Sequence, residues 1–295
     1  YGAKALTNEI RTKIESFQGA QFSIVVDELA LMGLTLEAYD EIDKYNFLPV
    51  SCSFQNLGDG ELAYQISYSE NDYKFFQKII RSTGPILCRD IKIVELLTSK
   101  GIDSKFFGDL VLFDSDYTNR SQIPKKIRNI AFSVQHHPKY NEQAISFLSN
   151  LRTLFNEQVK FFVTFHSEPN MVTNYFEKNT SHLYNVEYVN LCGEAEKLDF
   201  YNNIDLHVGY RLHGHISFLR RKKPTILMAE DVRAYGFYKT NVLNYGIFDA
   251  LDSKNPIEKA TMFLKEQMNK NFKDYDVIFK EIDALYENVV ITSLK

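Results

Sequence analysis

Short apolar runs rich in β-branched residues alternate with amphipathic stretches along almost the whole chain. That rhythm limits the fold more than any other feature. Strand-like runs are read at 21–26, 48–54, 85–88, 109–113, 127–134, 159–165, 185–191, 204–208 and 225–228. Helical periodicity is read at 3–17, 90–100, 141–156, 194–202, 214–221, 255–269 and 273–287. Runs such as "KFFVTF" and "PTILM" are apolar at nearly every position, as strands are when helices cover both faces of a parallel sheet. The β/α alternation predicts an α/β fold with mostly parallel sheets. A length of 295 residues suits two domains. The polar stretch "DSDYTNRSQIPKK" at 114–126 separates two such blocks. The expected layout is one α/β domain over 1–118, a second over 122–270, and a terminal helix within 271–295 returning to the first.

Composition narrows the function classes. The 34 Lys and Arg stand against 38 Asp and Glu, so the net charge of -4 offers no basic field to a nucleic-acid partner. The three cysteines, Cys52, Cys88 and Cys192, have no CxxC spacing, which argues against a disulfide framework or a structural zinc site. They read as small buried hydrophobes in a reducing, cytoplasmic setting. No apolar run approaches the ~20 residues of a membrane span. No signal peptide is read at the start, where the chain opens without Met in a loop entering a helix.

In open parallel sheets, ligands bind beyond the C-terminal ends of the strands. Arg89 and Asp90 follow the strand at 85–88, and His136 and His137 follow the one at 127–134. His166 and Glu168 follow 159–165, and Glu194 comes shortly after 185–191. Arg211, His213 and His215 follow 204–208, while Glu230, Asp231 and Arg233 follow 225–228. Five of the seven histidines therefore sit on one expected sheet edge. Arg211 and His213 open a helix, whose unpaired N–H groups and dipole favour a phosphate or carboxylate. A histidine beside such an anion is suited to acid–base work near neutral pH. Taken alone, Arg-x-His at a helix start reads equally as solvation, Arg89–Asp90 as a helix cap, and His136–His137 before Pro138 as a turn. His215 reads as structural, and His182 and His207 as loop and strand residues without a special role.

The segment "HVGYRLHGHISFLRRKKPTILMAEDVRAYGF" resembles the C-terminal signature of the polysaccharide pyruvyl transferase family. "YGAKALTNEI" at 1–10 is similar to that family's first Gly-containing loop and helix, and "ILCRDIKIVELLTSKGI" at 86–102 to its strand–Arg–Asp–helix element. The matches run in order over most of the chain. The resemblance implies a GT-B-like architecture, with two Rossmann-type domains facing across a cleft, the first on the acceptor side and the second on the donor side. It implies transfer of a pyruvyl group from phosphoenolpyruvate to saccharide hydroxyls, giving a pyruvate ketal in a cell-surface polysaccharide. Carried over residue by residue, it makes Arg89 and Arg211 donor-anion binders and His213 the catalytic imidazole.

The residues suit that chemistry. Phosphoenolpyruvate carries a carboxylate and a phosphate that two arginines could grip, each as a fork. The reaction needs protonation of the enol methylene, an oxocarbenium-like C2, attack by a sugar hydroxyl and departure of phosphate. His213 is the first acid–base candidate, with His136, His166, Glu194 and Asp231 in support. No metal or cofactor is expected, since the arginines can neutralise the phosphate. Two other readings compete: a glycosyltransferase of the same fold using a sugar nucleotide, with a nucleoside pocket around Glu194, and a non-catalytic saccharide-binding relative. The basic run 220–223 reads as a helix end whose cations complement the dipole. Its minority reading is contact with an anionic membrane face or a lipid-linked acceptor.

Overall fold

A computed structural model describes residues 23–25, 46–48, 51–53 and 70–287, apart from 242 and 253. The helix expected over 3–17 and the "YGAKALTNEI" motif lie outside the described residues. The chain forms two compact units. The C-terminal unit takes Leu112–Glu230 and Asn241–Ala284. The N-terminal unit takes the residues up to Val111, then Asp231–Thr240 and the chain from Leu285. The chain first crosses between them just ahead of the polar stretch at 114–126. The helix Val232–Lys239 crosses back to the N-terminal unit, and the terminal helix Tyr275–Leu285 lies in the C-terminal unit up to Ala284, with the chain from Leu285 grouped with the N-terminal unit.

In the N-terminal unit, β1 (Ser23–Val25) pairs in parallel with β2 (Asn46–Leu48). The helix Glu70–Thr83 leads into β3 (Ile86–Cys88), which pairs in parallel with β4 (Ser104–Phe106). Between β3 and β4 runs the helix Ile91–Ser99. Asp90 starts it by accepting the Ile93 N–H at 3.1 Å, a side-chain cap for an otherwise orphaned donor. Ile79, Ile86, Cys88, Ile93 and Leu97 are at most 1% exposed and form the core, to which Val232 and Tyr235 are added by the returning helix. That helix lies so close that a Cβ on Gly236 would sit 2.4 Å from Asp90 Oδ2.

The strand expected at 109–113 is a single 3-10 turn, Leu110–Leu112, and the strand comes earlier, at β4. The Asp109 carboxylate accepts the Val111 N–H at 2.8 Å and Ser51 Oγ accepts the Leu110 N–H at 3.2 Å. Side chains thus take the donors that a strand ladder would have used. Every residue of "LVLF" is buried nonetheless, and burial without periodicity does not separate a strand from a turn.

The C-terminal unit is built on six parallel strands: β5 (Asn129–Ser133), β6 (Lys160–Phe165), β7 (Val186–Asn190), β8 (Leu206–Gly209), β9 (Thr225–Ala229) and β10 (Ile247–Asp249). Their order is β10-β9-β8-β5-β6-β7. Two β-α-β wings run outward from the middle, so the order reverses between β5 and β8. Ile130, Phe132, Phe161, Val163, Leu206, Val208, Leu227 and Met228 are all 0% exposed, which is why these strands read as unbroken apolar runs. Two elements here have no counterpart in the sequence reading, β10 and the helix Met171–Thr180. A reciprocal cap starts that helix: Asn170 Oδ1 accepts the Val172 and Thr173 N–H groups, and Thr173 Oγ1 accepts the Asn170 N–H. The element expected as a helix over 194–202 is a 3-10 helix, Ala195–Asn203.

The basic run at 220–223 is spent inside this unit. Arg220 pairs with Asp114 at 2.7 Å, and Arg221 donates to Asn202 Oδ1 and to the Ser217 and Leu198 carbonyls. Lys222, 2% exposed, reaches Asp283 Oδ1 at 2.6 Å, and Lys223 donates to the carbonyls of Tyr201, Asn202 and Ile204. Burial lowers Lys223 to about 8. Arg221, Lys222 and Lys223 therefore tie the helix end to two neighbouring segments, 198–204 and the terminal helix. Among the described residues, no helix is long and apolar enough to cross a membrane.

Candidate active site

The ends of β5 and β8 meet where the strand order reverses, the position at which doubly wound sheets leave a crevice. Gly209 closes β8 with φ +153°, and a Cβ there would lie 2.3 Å from the Ser133 carbonyl oxygen and 2.5 Å from Ser133 Oγ. Only glycine lets the two strand ends approach so closely. Gly209→Ala should therefore cost stability at the upper end of the ~1–3 kcal/mol typical of overpacking. A urea midpoint equal to that of the wild type would contradict this packing.

Beyond Gly209, Tyr210 N–H donates to the Ser133 carbonyl at 2.9 Å and Arg211 N–H to Ser133 Oγ at 3.1 Å. Arg211 is the N-cap of the helix Leu212–Arg220 but contributes no side-chain cap, so its guanidinium is directed elsewhere. Arg211 Nη1 donates to His136 Nδ1 at 2.6 Å. A nitrogen that accepts from a guanidinium carries no proton, so His136 holds its own on Nε2. The turn bearing His136 is fixed from below. The Glu230 carboxylate, in a residue 4% exposed, accepts the His136 N–H at 2.6 Å and the His137 N–H at 3.1 Å.

His213 stands in the first turn of the helix Leu212–Arg220, half-buried. His166, at the end of β6, bonds through Nε2 to the Tyr201 hydroxyl at 2.6 Å, and Tyr201 shares a 3.2 Å bond with Thr164. Burial first, then the positive charges of Arg211 and His213, hold the His166 imidazole well below its ordinary range. Burial also raises the Tyr201 phenol. Arg211, His136, His166 and His213 therefore act on one another at one sheet edge, with His166 held neutral and the guanidinium as a fixed cation.

Glu194 precedes the 3-10 helix as an exposed residue and provides no side-chain cap. Arg89 and Asp231 belong to the N-terminal unit. Arg89 is 2% exposed, its Nη1 lies 3.7 Å from Asp109 Oδ2, and its Nε and Nη2 have no hydrogen-bond partner. Asp231 caps the helix Val232–Lys239 through the Ala234 N–H and is gripped by Arg233 at 2.7 Å. Although burial opposes it, the charge and hydrogen bonds of Arg233, the Ala234 N–H and Arg89 bring Asp231 down to about 2. Among the described residues, no group of three or more His, Cys, Asp and Glu is arranged to hold a metal ion. Sequence reasoning passed over Ser133, Tyr201 and Glu230 as site residues. Glu230 had a readable signal, an acid directly after a fully apolar strand.

The sequence profile of the family described as Polysaccharide pyruvyl transferase matches residues 44–232, more than half of the chain. The chain belongs to the polysaccharide pyruvyl transferase family. No curated protein matches it in sequence. UDP-GlcNAc 2-epimerase from Neisseria meningitidis, solved bound to UDP-GlcNAc, is 13% identical with a TM-score of 0.51, over 99% of this chain and 81% of that one. A mutant of S. aureus TarM, solved with fondaparinux, alpha-GlcNAc-glycerol and UDP, is 10% identical with a TM-score of 0.50, over 82% of this chain and 49% of that one. The chain thus spans about half the length of TarM. These likenesses are of fold, and the fold class is α/β and GT-B-like.

Proposed function

We propose that this family member transfers the pyruvyl group of phosphoenolpyruvate to hydroxyls of a saccharide, forming a pyruvate ketal and releasing phosphate. One observation carries the reading: Arg211 and His213 stand two residues apart at a helix start, on the strand-order reversal of a parallel sheet. In this proposal the Arg211 guanidinium and the first-turn N–H groups take the donor's anionic end. His213 delivers a proton to the enol methylene. The cation that develops at C2 is captured by one sugar hydroxyl, the C2–O bond to phosphate breaks, and a second hydroxyl closes the ketal. His213, neutral once it has given up its proton, and neutral His166 are placed in the proposal as proton acceptors for the attacking hydroxyls, while His136, oriented by Arg211, offers its Nε2–H as a donor. The donor role of Arg89 is proposed from the family motif. Its two unpartnered nitrogens are compatible with a ligand role. The acceptor is a saccharide, and the setting proposed for the protein is cytoplasmic.

The test is a thermal titration with phosphoenolpyruvate. A donor that binds only the folded protein stabilises it by about 2.7 kcal/mol at a hundredfold excess over Kd. A saturable rise in melting temperature that Arg211→Ala abolishes is the expected result. A response to UDP-sugars and none to phosphoenolpyruvate would replace this reading with a sugar-nucleotide glycosyltransferase.

A further inference from the structure

Beneath the site runs a chain of buried polar groups that the proposed chemistry does not use. Ser133 Oγ lies 2.8 Å from His207 Nε2, His207 Nδ1 lies 2.8 Å from Thr225 Oγ1, and Thr225 Oγ1 lies 3.0 Å from His215 Nδ1. All four residues are 0% exposed. His207 is enclosed by Tyr201 and Phe218, with ring centroids at 6.3 and 5.3 Å, and a Cβ on Gly214 would lie 2.7 Å from its Nε2. An apolar side chain in this strand position would need no such accommodation. Burial holds both imidazoles well below their ordinary range, so both are neutral.

Proton counting gives the chain a direction. Ser133 Oγ already accepts the Arg211 N–H at 3.1 Å. Its own proton is then best donated to His207 Nε2. His207 carries its proton on Nδ1 and donates to Thr225, and Thr225 donates to His215 Nδ1. His215 Nε2 ends the chain without a partner. The opposite direction would strand the Ser133 proton and the His215 Nε2 lone pair together, two unpaired groups instead of one.

We propose that His207 is a positioning residue: through Ser133 it fixes the Arg211 backbone, and with it the helix start that receives the donor anion. The inference rests on the donor reading above for its effect on turnover, but its structural content stands without that reading. The polarised Ser133 hydroxyl accepts the Arg211 N–H, and its own proton is held in place by His207 Nε2.

The experiment compares wild type with His207→Leu, Ser133→Ala and His207→Gln, whose amide can again accept from Ser133. Amide hydrogen exchange at Arg211 is read first, without ligand. Exchange is expected to quicken roughly tenfold in Ser133→Ala and His207→Leu and to recover most of its protection in His207→Gln. In the same proteins the KM for phosphoenolpyruvate should rise roughly tenfold in the first two, with a smaller change in kcat. Should His207→Leu not fold, Ser133→Ala decides, since it removes one oxygen only. An Arg211 amide exchanging at the wild-type rate in Ser133→Ala overturns the inference whatever the donor proves to be. Altered exchange in a protein whose wild type ignores phosphoenolpyruvate upholds the positioning role and rejects the donor reading.

Discussion

Replacing His213 with Ala is expected to lower ketal formation by ~10²–10⁴-fold, the usual worth of a placed general acid–base group. The melting temperature should barely move. His213 is half-buried in the first turn of the helix Leu212–Arg220, where a substitution to Ala keeps the helix start. Arg211→Ala should act differently. Hydrogen bonds to charged groups contribute roughly 1.5–3 kcal/mol, so donor affinity should fall about 10- to 150-fold. His136 also loses the guanidinium that orders it at 2.6 Å. Arg211→Lys keeps the charge but not the planar fork, and should recover only part of that loss. The measurement is steady-state release of phosphate with a saccharide acceptor, alongside melting curves. Near-normal turnover in His213→Ala would remove the imidazole from the mechanism.

Acid should weaken the two units in opposite senses. In the C-terminal unit, burial brings His215 from an ordinary 6.5 to about 3 and holds His207 well below its ordinary range. As pH falls through 6.5, the unfolded chain takes up protons on these imidazoles while the folded chain does not. Their stabilisation is whole above 6.5 and is lost progressively below it. For His215 alone, the loss between pH 6.5 and pH 5 is about 2 kcal/mol, at 1.36 kcal/mol per unit. His166 acts in the same direction. In the N-terminal unit, burial pushes Asp90 up from 3.8 to about 6, against the pull of Arg89. The folded form binds that proton first, so this unit gains about 1.4 kcal/mol over the same interval. Asp231, at about 2, loses its contribution only below pH 4. Hydrogen exchange from the slowest amides of each unit, between pH 7 and pH 5, should show protection free energy falling in the sheet β5–β10 and rising around the helix Ile91–Ser99. Parallel changes in both would mean that these burial-driven shifts are wrong.

Much of this architecture was legible because each strand of the C-terminal sheet is covered on both faces, which leaves apolar runs punctuated by polar residues at one end. Arg211, His213, His136 and His166 were readable for the same reason: chemistry that follows a parallel strand collects on one edge. The residues that hold that edge together were not readable. His207 sits inside a strand, and nothing in "DLHVG" shows that Ser133, some seventy residues earlier, faces it. Glu230 stands out as an acid after an apolar strand, but its grip on two backbone N–H groups leaves no residue pattern. The helix Val232–Lys239 has no counterpart among the helices read from the sequence, although Asp231 is a good cap, because "VRAYGFYK" contains a glycine and few aliphatic residues. The turn at 110–112 was misread because burial alone favours no period.

That returning helix also has a bearing on the order in which the chain takes shape as it is made. The N-terminal unit has most of its sequence by Val111, yet Val232 and Tyr235 belong to its core and Gly236 packs against its Asp90. During synthesis, therefore, the first unit waits with an uncovered apolar face until residue 240 has left the ribosome, long after five of the six strands of the second sheet are available. The unit that begins first is completed late, and a nascent chain halted after Ala229 would carry a nearly finished second sheet beside an unfinished first core.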